Sequence, residues 1–254
     1  MLTLRADFHI HSVLSPCGDL RMSPAAIVAR AVELGLDWVA ISDHNNARNA
    51  PALAVAAQRA GVKALYGLEV RSVEEVDVLT LFETVEAALD YGAWVYAGLP
   101  AIPCDAARFG DQVVVDADDE VLDFVEKLLI SGCEYAFEVV CDEARARGAV
   151  IIPAHVDRPA NSVCSQLGWL PADVAVDAVE VSRFSDEAEL VQAHRWLSRH
   201  TVARFSDAHR REEIGYQQTK LHVAAPSLSE LRLALTGASG RGAEPLRQAL
   251  AKET

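Results

Sequence analysis

The chain has 254 residues, 51% hydrophobic and 24% charged, with 14 Gly and 10 Pro. This composition excludes disorder and collagen and leaves ample apolar material for a core. With 23 Lys+Arg against 37 Asp+Glu, the formal net charge is −14, a field that repels polyphosphate chains. Duplex nucleic acid is therefore not an expected partner, although divalent ions held by some of the acids would bring the chain nearer neutrality. The cysteines Cys17, Cys104, Cys133, Cys141 and Cys164 are odd in number and form no Cys-x-x-Cys pair. Neither a disulfide framework nor a zinc ribbon is indicated, and a reducing, cytoplasmic setting is expected. No basic start leads into a long apolar stretch and no run of about 18 apolar residues follows, so membrane association is not expected. Oligomeric state stays open.

Short apolar runs alternate with longer amphipathic ones, the pattern of strands joined by crossover helices in an α/β fold. The first strand is predicted over 5–10. A helix follows from Ser23 to Gly35, with Ser as N-cap, Pro24 in the first turn and Gly at the exit. Further strands are predicted over 38–42, 64–69, 76–82, 150–154, 178–182, 202–206 and 221–224, where brief, mostly β-branched runs are bounded by Gly, Pro, Asp or Asn. Helices are predicted over 50–60, 119–131, 134–147, 186–198 and 227–236, with a tail helix at 243–251. Seven or eight strands suggest a closed barrel. The stretch 100–118 is too long for an ordinary βα connection and reads as an excursion near the site. With no linker or repeat in view, residues 1–254 are expected to form one domain.

The chemistry is concentrated at predicted strand ends. His9 and His11 close the first strand, His44 stands in Ser42-Asp43-His44-Asn45, and Glu69 in Gly67-Leu68-Glu69. His155 follows Pro153-Ala154, and Asp207 and His209 stand in Ser206-Asp207-Ala208-His209. In a parallel barrel the C-terminal strand ends share one face, so residues nearly 200 positions apart become neighbours. Residues i and i+2 on a strand point the same way, which lets His9 and His11 chelate one ion. Each piece alone has an ordinary explanation as a turn, cap or surface acid; five of the eight histidines at strand ends are harder to explain so. His194, His200 and His222 fall in or after a helix or within a strand and carry no such expectation. Imidazole with carboxylate suits Zn, Mn or Fe.

These blocks, with Gly18-Asp19 and the segment His11-Ser-Val-Leu-Ser-Pro-Cys17, resemble the PHP (polymerase and histidinol phosphatase) superfamily of metal-dependent phosphoesterases, and most of all its stand-alone bacterial members. The resemblance runs in order over residues 7–209. It implies a distorted seven-stranded, TIM-like (β/α) barrel holding two to three divalent ions. It places His9, His11, Glu69 and Asp207 on a first ion, Glu69 and His155 on a second, and Asp19, His44 and His209 on a third. Where the family usually has a His after Gly-x-Glu this chain has Asp77, which is taken as the second ion's remaining ligand. The implied reaction is attack of a metal-activated water on phosphorus, with Glu69, Asp207, His209 and Arg158 as the catalytic set. Phosphate would be bound by Arg158, Arg183 and Arg210, whose planar guanidinium groups match its oxygens.

The expected substrate is a small phosphate ester, first a nucleotide or short oligonucleotide and second histidinol phosphate. Phe109 and Trp169, on the loops 100–118 and 159–171, are candidate stacking surfaces. A catalytically silent metal-binding module is the competing reading, which the near-complete ligand set disfavours. An amidohydrolase is a poor third, because neither Lys63, Lys127, Lys220 nor Lys252 stands where a bridging lysine would be needed.

Overall fold

In the computed structural model, residues 1–247 are described. The elements run β1 (Leu2–Asp7), α1 (Pro24–Leu34), β2 (Trp38–His44), α2 (Ala50–Ala60), β3 (Lys63–Arg71), β4 (Asp77–Phe82) and α3 (Val85–Ala97). There follow α4 (Ala106–Phe109), β5 (Val113–Val115), β6 (Val121–Phe124), α5 (Phe137–Ala146), β7 (Val150–Pro153) and α6 (Val163–Gln166). The remainder is β8 (Val179–Glu180), α7 (Glu187–Ala193), β9 (Val202–Ala203), β10 (Gln217–Val223), α8 (Leu228–Leu235) and β11 (Gly242–Arg247). Helix α1 starts and stops where the sequence predicts: Ser23 accepts the Ala26 N–H, and Gly35 leaves at φ 65°.

Seven strands form one curled sheet in the order β11-β10-β1-β2-β3-β4-β7. The class agrees with expectation and six of the eight predicted strands lie in this sheet, β11 replacing the other two, but the sheet is mixed rather than parallel. Only β1–β2 and β2–β3 pair in parallel, while β1–β10, β10–β11, β3–β4 and β4–β7 are antiparallel. The reversal at β4 is forced by a short link. Ser72 N donates to Val76 O at 3.0 Å and Glu75 sits at φ 61°, a turn with no room for the crossover that a parallel neighbour requires. Strands β8 and β9 form a separate parallel pair, joined to β7 through Asp177 N to Ile151 O and Val156 N to Glu180 O, both 2.9 Å. A continuous closed barrel is not seen in the strand ladders.

Inside the curl, Phe8, Trp38, Leu65, Leu79, Leu81, Ile152 and Phe205 are buried together, with the Phe8 and Trp38 rings edge to face at 5.2 Å. Outside it, α1 packs on β2, α2 on β3, α3 on β3 and β4, and α5 on β4 and β7. Among the described residues no helix is long and apolar enough to cross a membrane.

Three expected helices are corrected. Over 119–131 the chain forms β6 instead, because Asp116 Oδ1 accepts the N–H groups of Asp118 (2.9 Å) and Glu120 (3.0 Å). That Asx turn folds 113–124 into the hairpin β5–β6. The predicted 186–198 helix is shorter, ending at Ala193 before a 3-10 turn over Arg195–Arg199. The expected tail helix is strand β11 over 242–247, and its remaining residues lie outside those described. Helix α3, which the sequence reading did not identify, is capped by Thr84 on Ala87 N–H at 3.2 Å.

Candidate metal centre

Strand alternation brings the candidate ligands to one rim. The face of β2 that carries Trp38 and Ala40 into the core ends at His44, and the face of β3 that carries Leu65 ends at Glu69. Strand β4 runs the other way, so Leu81 and Leu79 lead back to Asp77 at its start, paired opposite Arg71. His9 and His11 follow β1, His155 follows β7, and Asp207 and His209 follow β9. His155 (φ 28°) and Asp207 (φ 49°) adopt left-handed backbone, a conformation uncommon for residues bearing a Cβ but more open to Asp and His than to most.

Four donors converge. His9 Nε2 and His11 Nε2 are 3.2 Å apart, and both lie 3.2 to 3.4 Å from Glu69 and from Asp207 Oδ1. His155 Nε2 is 2.9 Å from Glu69 Oε1 and 3.8 Å from Asp77 Oδ2. The rings of His11 and His209 stack at 4.2 Å, and His44 stands 4.6 Å from His11. His9, His11, Glu69 and His155 are almost wholly buried, and Asp207 Oδ1 is a buried atom with no hydrogen-bond partner. An orphaned buried carboxylate oxygen among imidazoles fits a cation. Three sets lie close enough to share an ion: His9–His11–Glu69, Glu69–Asp77–His155 and His11–His44–His209. Their mixture of imidazole and carboxylate fits first-row divalent metals.

The imidazoles are held in one tautomer from behind. Glu180 accepts from His9 Nδ1 at 2.9 Å, and Ser15 Oγ accepts from His11 Nδ1 at 3.0 Å while donating to Asp43 Oδ1 at 2.7 Å. Both Nε2 atoms therefore face the centre, where each could serve an ion as a ligand once free of a proton. Burial alone would pull the His9 pKa down, but the Glu180, Asp207 and Glu69 carboxylates hold it well above its usual value. Burial and the neighbouring His209 and His44 push His11 well below its own. Burial would raise Glu69, yet His9 and His44 hold it well below the usual carboxylate range.

The outlying candidates divide. Asp77 gives both oxygens to Arg71, at 2.7 and 2.9 Å. Arg158 reaches from the loop after β7 to Asp207 Oδ2 and lines a cleft of about 260 Å³ with His44, Glu69, His155 and His209. Arg183 borders an adjoining hollow and stands over the rings of Phe184 and Tyr216, at 5.0 and 5.7 Å. Arg210 is exposed and outside the cleft lining. The Asp19 carboxylate is not brought to the centre: it accepts from Arg21 N, Nε and Nη2 at 2.8 to 3.0 Å. Cys17 sits within hydrogen-bond reach of His44 and His209 instead. Glu180, Arg71, Asp43 and Cys17 are the contributors that sequence reasoning passed over. A buried acid within the apolar run Val179–Val181 was a signal available for Glu180.

A model of the PHP domain matches residues 7–142. The PolC-type DNA polymerase III of Streptococcus mutans is 30% identical over 129 residues, which are 47% of this chain and 9% of the polymerase. The lesion-specific endonuclease EndoQ of Pyrococcus furiosus shares the fold at 21% identity and a TM-score of 0.69, over 95% of this chain and 58% of that one. An Endonuclease Q complex with a 27-mer duplex substrate, carrying an abasic lesion at the active site, also matches at 21% identity, with a TM-score of 0.71 and the same shares of each chain. The last finding overturns the expectation that excluded duplex nucleic acid. That expectation rested on net charge, whereas the field at one rim governs what docks there, and this fold accommodates a duplex in Endonuclease Q. With its matched region covering more than half the sequence and its histidines and carboxylates gathered at one rim, the chain belongs to the PHP domain family of metal-dependent phosphoesterases.

Proposed function

We propose that the protein hydrolyses phosphate esters of nucleotides or nucleic acids in a metal-dependent reaction. The observation that carries this reading is the convergence of Glu69 and Asp207 on His9 Nε2 and His11 Nε2, each within 3.4 Å, beside the guanidinium of Arg158. His9, His11, Glu69 and Asp207 would hold one ion, Glu69, Asp77 and His155 a second, and His44 and His209 a third. Such ions supply a nucleophilic water at neutral pH and neutralise charge on the phosphoryl oxygens. The chain's own groups do the rest. Glu180 and Ser15 keep the Nδ1 protons of His9 and His11 facing away from the centre, and Arg158, poised on Asp207, swings one nitrogen to a phosphoryl oxygen.

Nucleic acid is favoured over a small sugar or amino-alcohol phosphate by the surface beside the cleft. Phe184 is 73% exposed and borders the hollow that also holds Arg158, Arg183, His155 and Asp207, an arrangement suited to stacking a base while an arginine meets its phosphate. Trp169 is exposed as well, whereas Phe109 is half-buried beside Arg108. The test is an assay of metal-stripped protein, reloaded with Mn, Zn or Fe, against nucleoside monophosphates, single strands, an abasic-site duplex and histidinol phosphate. Metal-restored cleavage of a nucleotide or nucleic acid is expected. Turnover confined to histidinol phosphate would overturn the substrate class, and activity indifferent to chelator would overturn the whole reading.

A further inference from the structure

The loop between His11 and Met22 is built to present one side chain to the third group of imidazoles, and that side chain is not an aspartate. Ser12 donates through N and Oγ to Asp43 at 2.7 and 2.6 Å, and Ser15 Oγ donates to the same carboxylate. The turn is then closed by Gly18 N on Ser15 O at 2.8 Å. A Cβ at Gly18 would lie 2.5 Å from Ser12 O, so the chain passes there with no slack. Asp19 N donates to His209 O at 2.9 Å, which stitches the loop to the segment bearing His209. With the backbone so fixed, the Asp19 carboxylate turns out to Arg21, while the Cys17 thiol faces His44 and His209.

The imidazoles themselves point to a bound ion. His11, His44 and His209 offer nitrogen atoms within 4.8 Å of one another. The His44 side chain is nine-tenths buried, and its Nδ1 has no hydrogen-bond partner, although it lies 3.0 Å from Glu69 Oε2. Three imidazole nitrogens gathered so closely are satisfied together by one shared cation. We propose that Cys17 is a thiolate ligand of this third ion, with His44 and His209, in the position that the PHP resemblance gives to Asp19. The proposal rests on the metal-dependent reading above. Its consequence is selectivity, because one soft thiolate moves a His-rich site away from Mg and Mn and toward Zn, Fe or Co. Coordination also deprotonates the thiol outright, so an ion there shields Cys17 from alkylation.

The experiment is a Co(II) titration of metal-stripped protein, comparing wild type, Cys17→Ser and Asp19→Asn. Wild type and Asp19→Asn are expected to develop a near-ultraviolet thiolate-to-cobalt charge-transfer band. Cys17→Ser should lack the band, keep the visible bands of the other ions, and lose affinity for one ion by more than the roughly 10- to 100-fold that removal of an outer partner costs. Peptide mapping after iodoacetamide treatment should show Cys17 modified in stripped protein and protected in loaded protein. Full Co(II) loading of wild type without the band would overturn the role of Cys17 and leave the phosphoesterase reading intact. Loss of one ion in Asp19→Asn but not in Cys17→Ser would likewise overturn it, in favour of Asp19. Failure of wild type to bind Co(II) at all would overturn the proposal together with the metal-dependent reading.

Discussion

Arg158 and Glu180 contact different groups at the centre, Asp207 and His9, and each contact can be isolated by one substitution. Arg158 sits against Asp207 Oδ2 at the cleft, where it can bind a phosphoryl oxygen. Arg158→Ala should lower kcat/KM by about 30- to 1,000-fold, or roughly 2–4 kcal/mol of transition-state stabilisation. Arg158→Lys should recover only part of it, because an ammonium keeps the charge without the planar fork; steady-state kinetics on the best substrate checks both. Glu180 is buried and holds His9 through Nδ1. Glu180→Gln should therefore weaken metal affinity by about 10- to 100-fold, read by competition with a chromogenic chelator, while kcat at saturating metal changes little. The histidines and carboxylates that converge at the rim were legible in the sequence because they recur as short blocks at strand ends. Their supports were not: Arg71 meets Asp77 only across a hairpin whose antiparallel pairing no local pattern announces. Glu180 carried only the weaker signal of a single acid between two valines, in a strand of two residues.

At the scale of elements, the 100–118 excursion is a brace for the loop that carries His11 and Cys17. Val113 N donates to Val13 O at 2.9 Å, and Asn49 Nδ2 bridges Ser12 Oγ and Val113 O at 3.0 and 3.1 Å. A Cβ at Gly110 would fall 2.4 Å from Pro16 O. The sequence marked this stretch as irregular and near the site, but its hairpin could not be read because the Asx turn at Asp116 lies within a run of acids that also suits a helix start. Gly67 has a similar packing role between strands: an added Cβ would meet Ser42 Oγ at 2.7 Å, Leu81 Cδ2 at 2.9 Å and Ile41 O at 3.0 Å. Gly67→Ala should therefore destabilise the fold by about 1–3 kcal/mol. At roughly 2–4 °C per kcal/mol for a chain of this size, calorimetry should find a lower Tm. Metal affinity should fall with it, since Glu69 is two residues away on the displaced strand.

Across the whole molecule, the first strand is fastened to the last third of the chain by a buried acid. Asp7 accepts from Ser206 N at 3.0 Å and from Gly215 N at 2.9 Å, and burial raises its pKa to about 6 despite those bonds. The native state therefore binds a proton that the unfolded chain, with an ordinary Asp near 4, gives up. The stabilisation from that proton is full below about pH 4 and lost as the pH rises through about 6, amounting to about 3 kcal/mol. Denaturant unfolding of wild type and Asp7→Asn at pH 4 and pH 7 should show the wild type losing ground against the variant at the higher pH. Strand β1 was legible, but its place between β2 and β10 was not, because ladder order depends on partners some 200 residues away. That placement also sets a timetable. While the chain is being synthesised, β1 can meet β2 early, but its other edge stays open until β10 emerges, roughly 10–40 s later at about 5–20 residues per second. A nascent chain halted before Asp207 would hold His9 and His11 with Glu69 but without Asp207, and would expose an unpaired strand edge of the kind that invites aggregation.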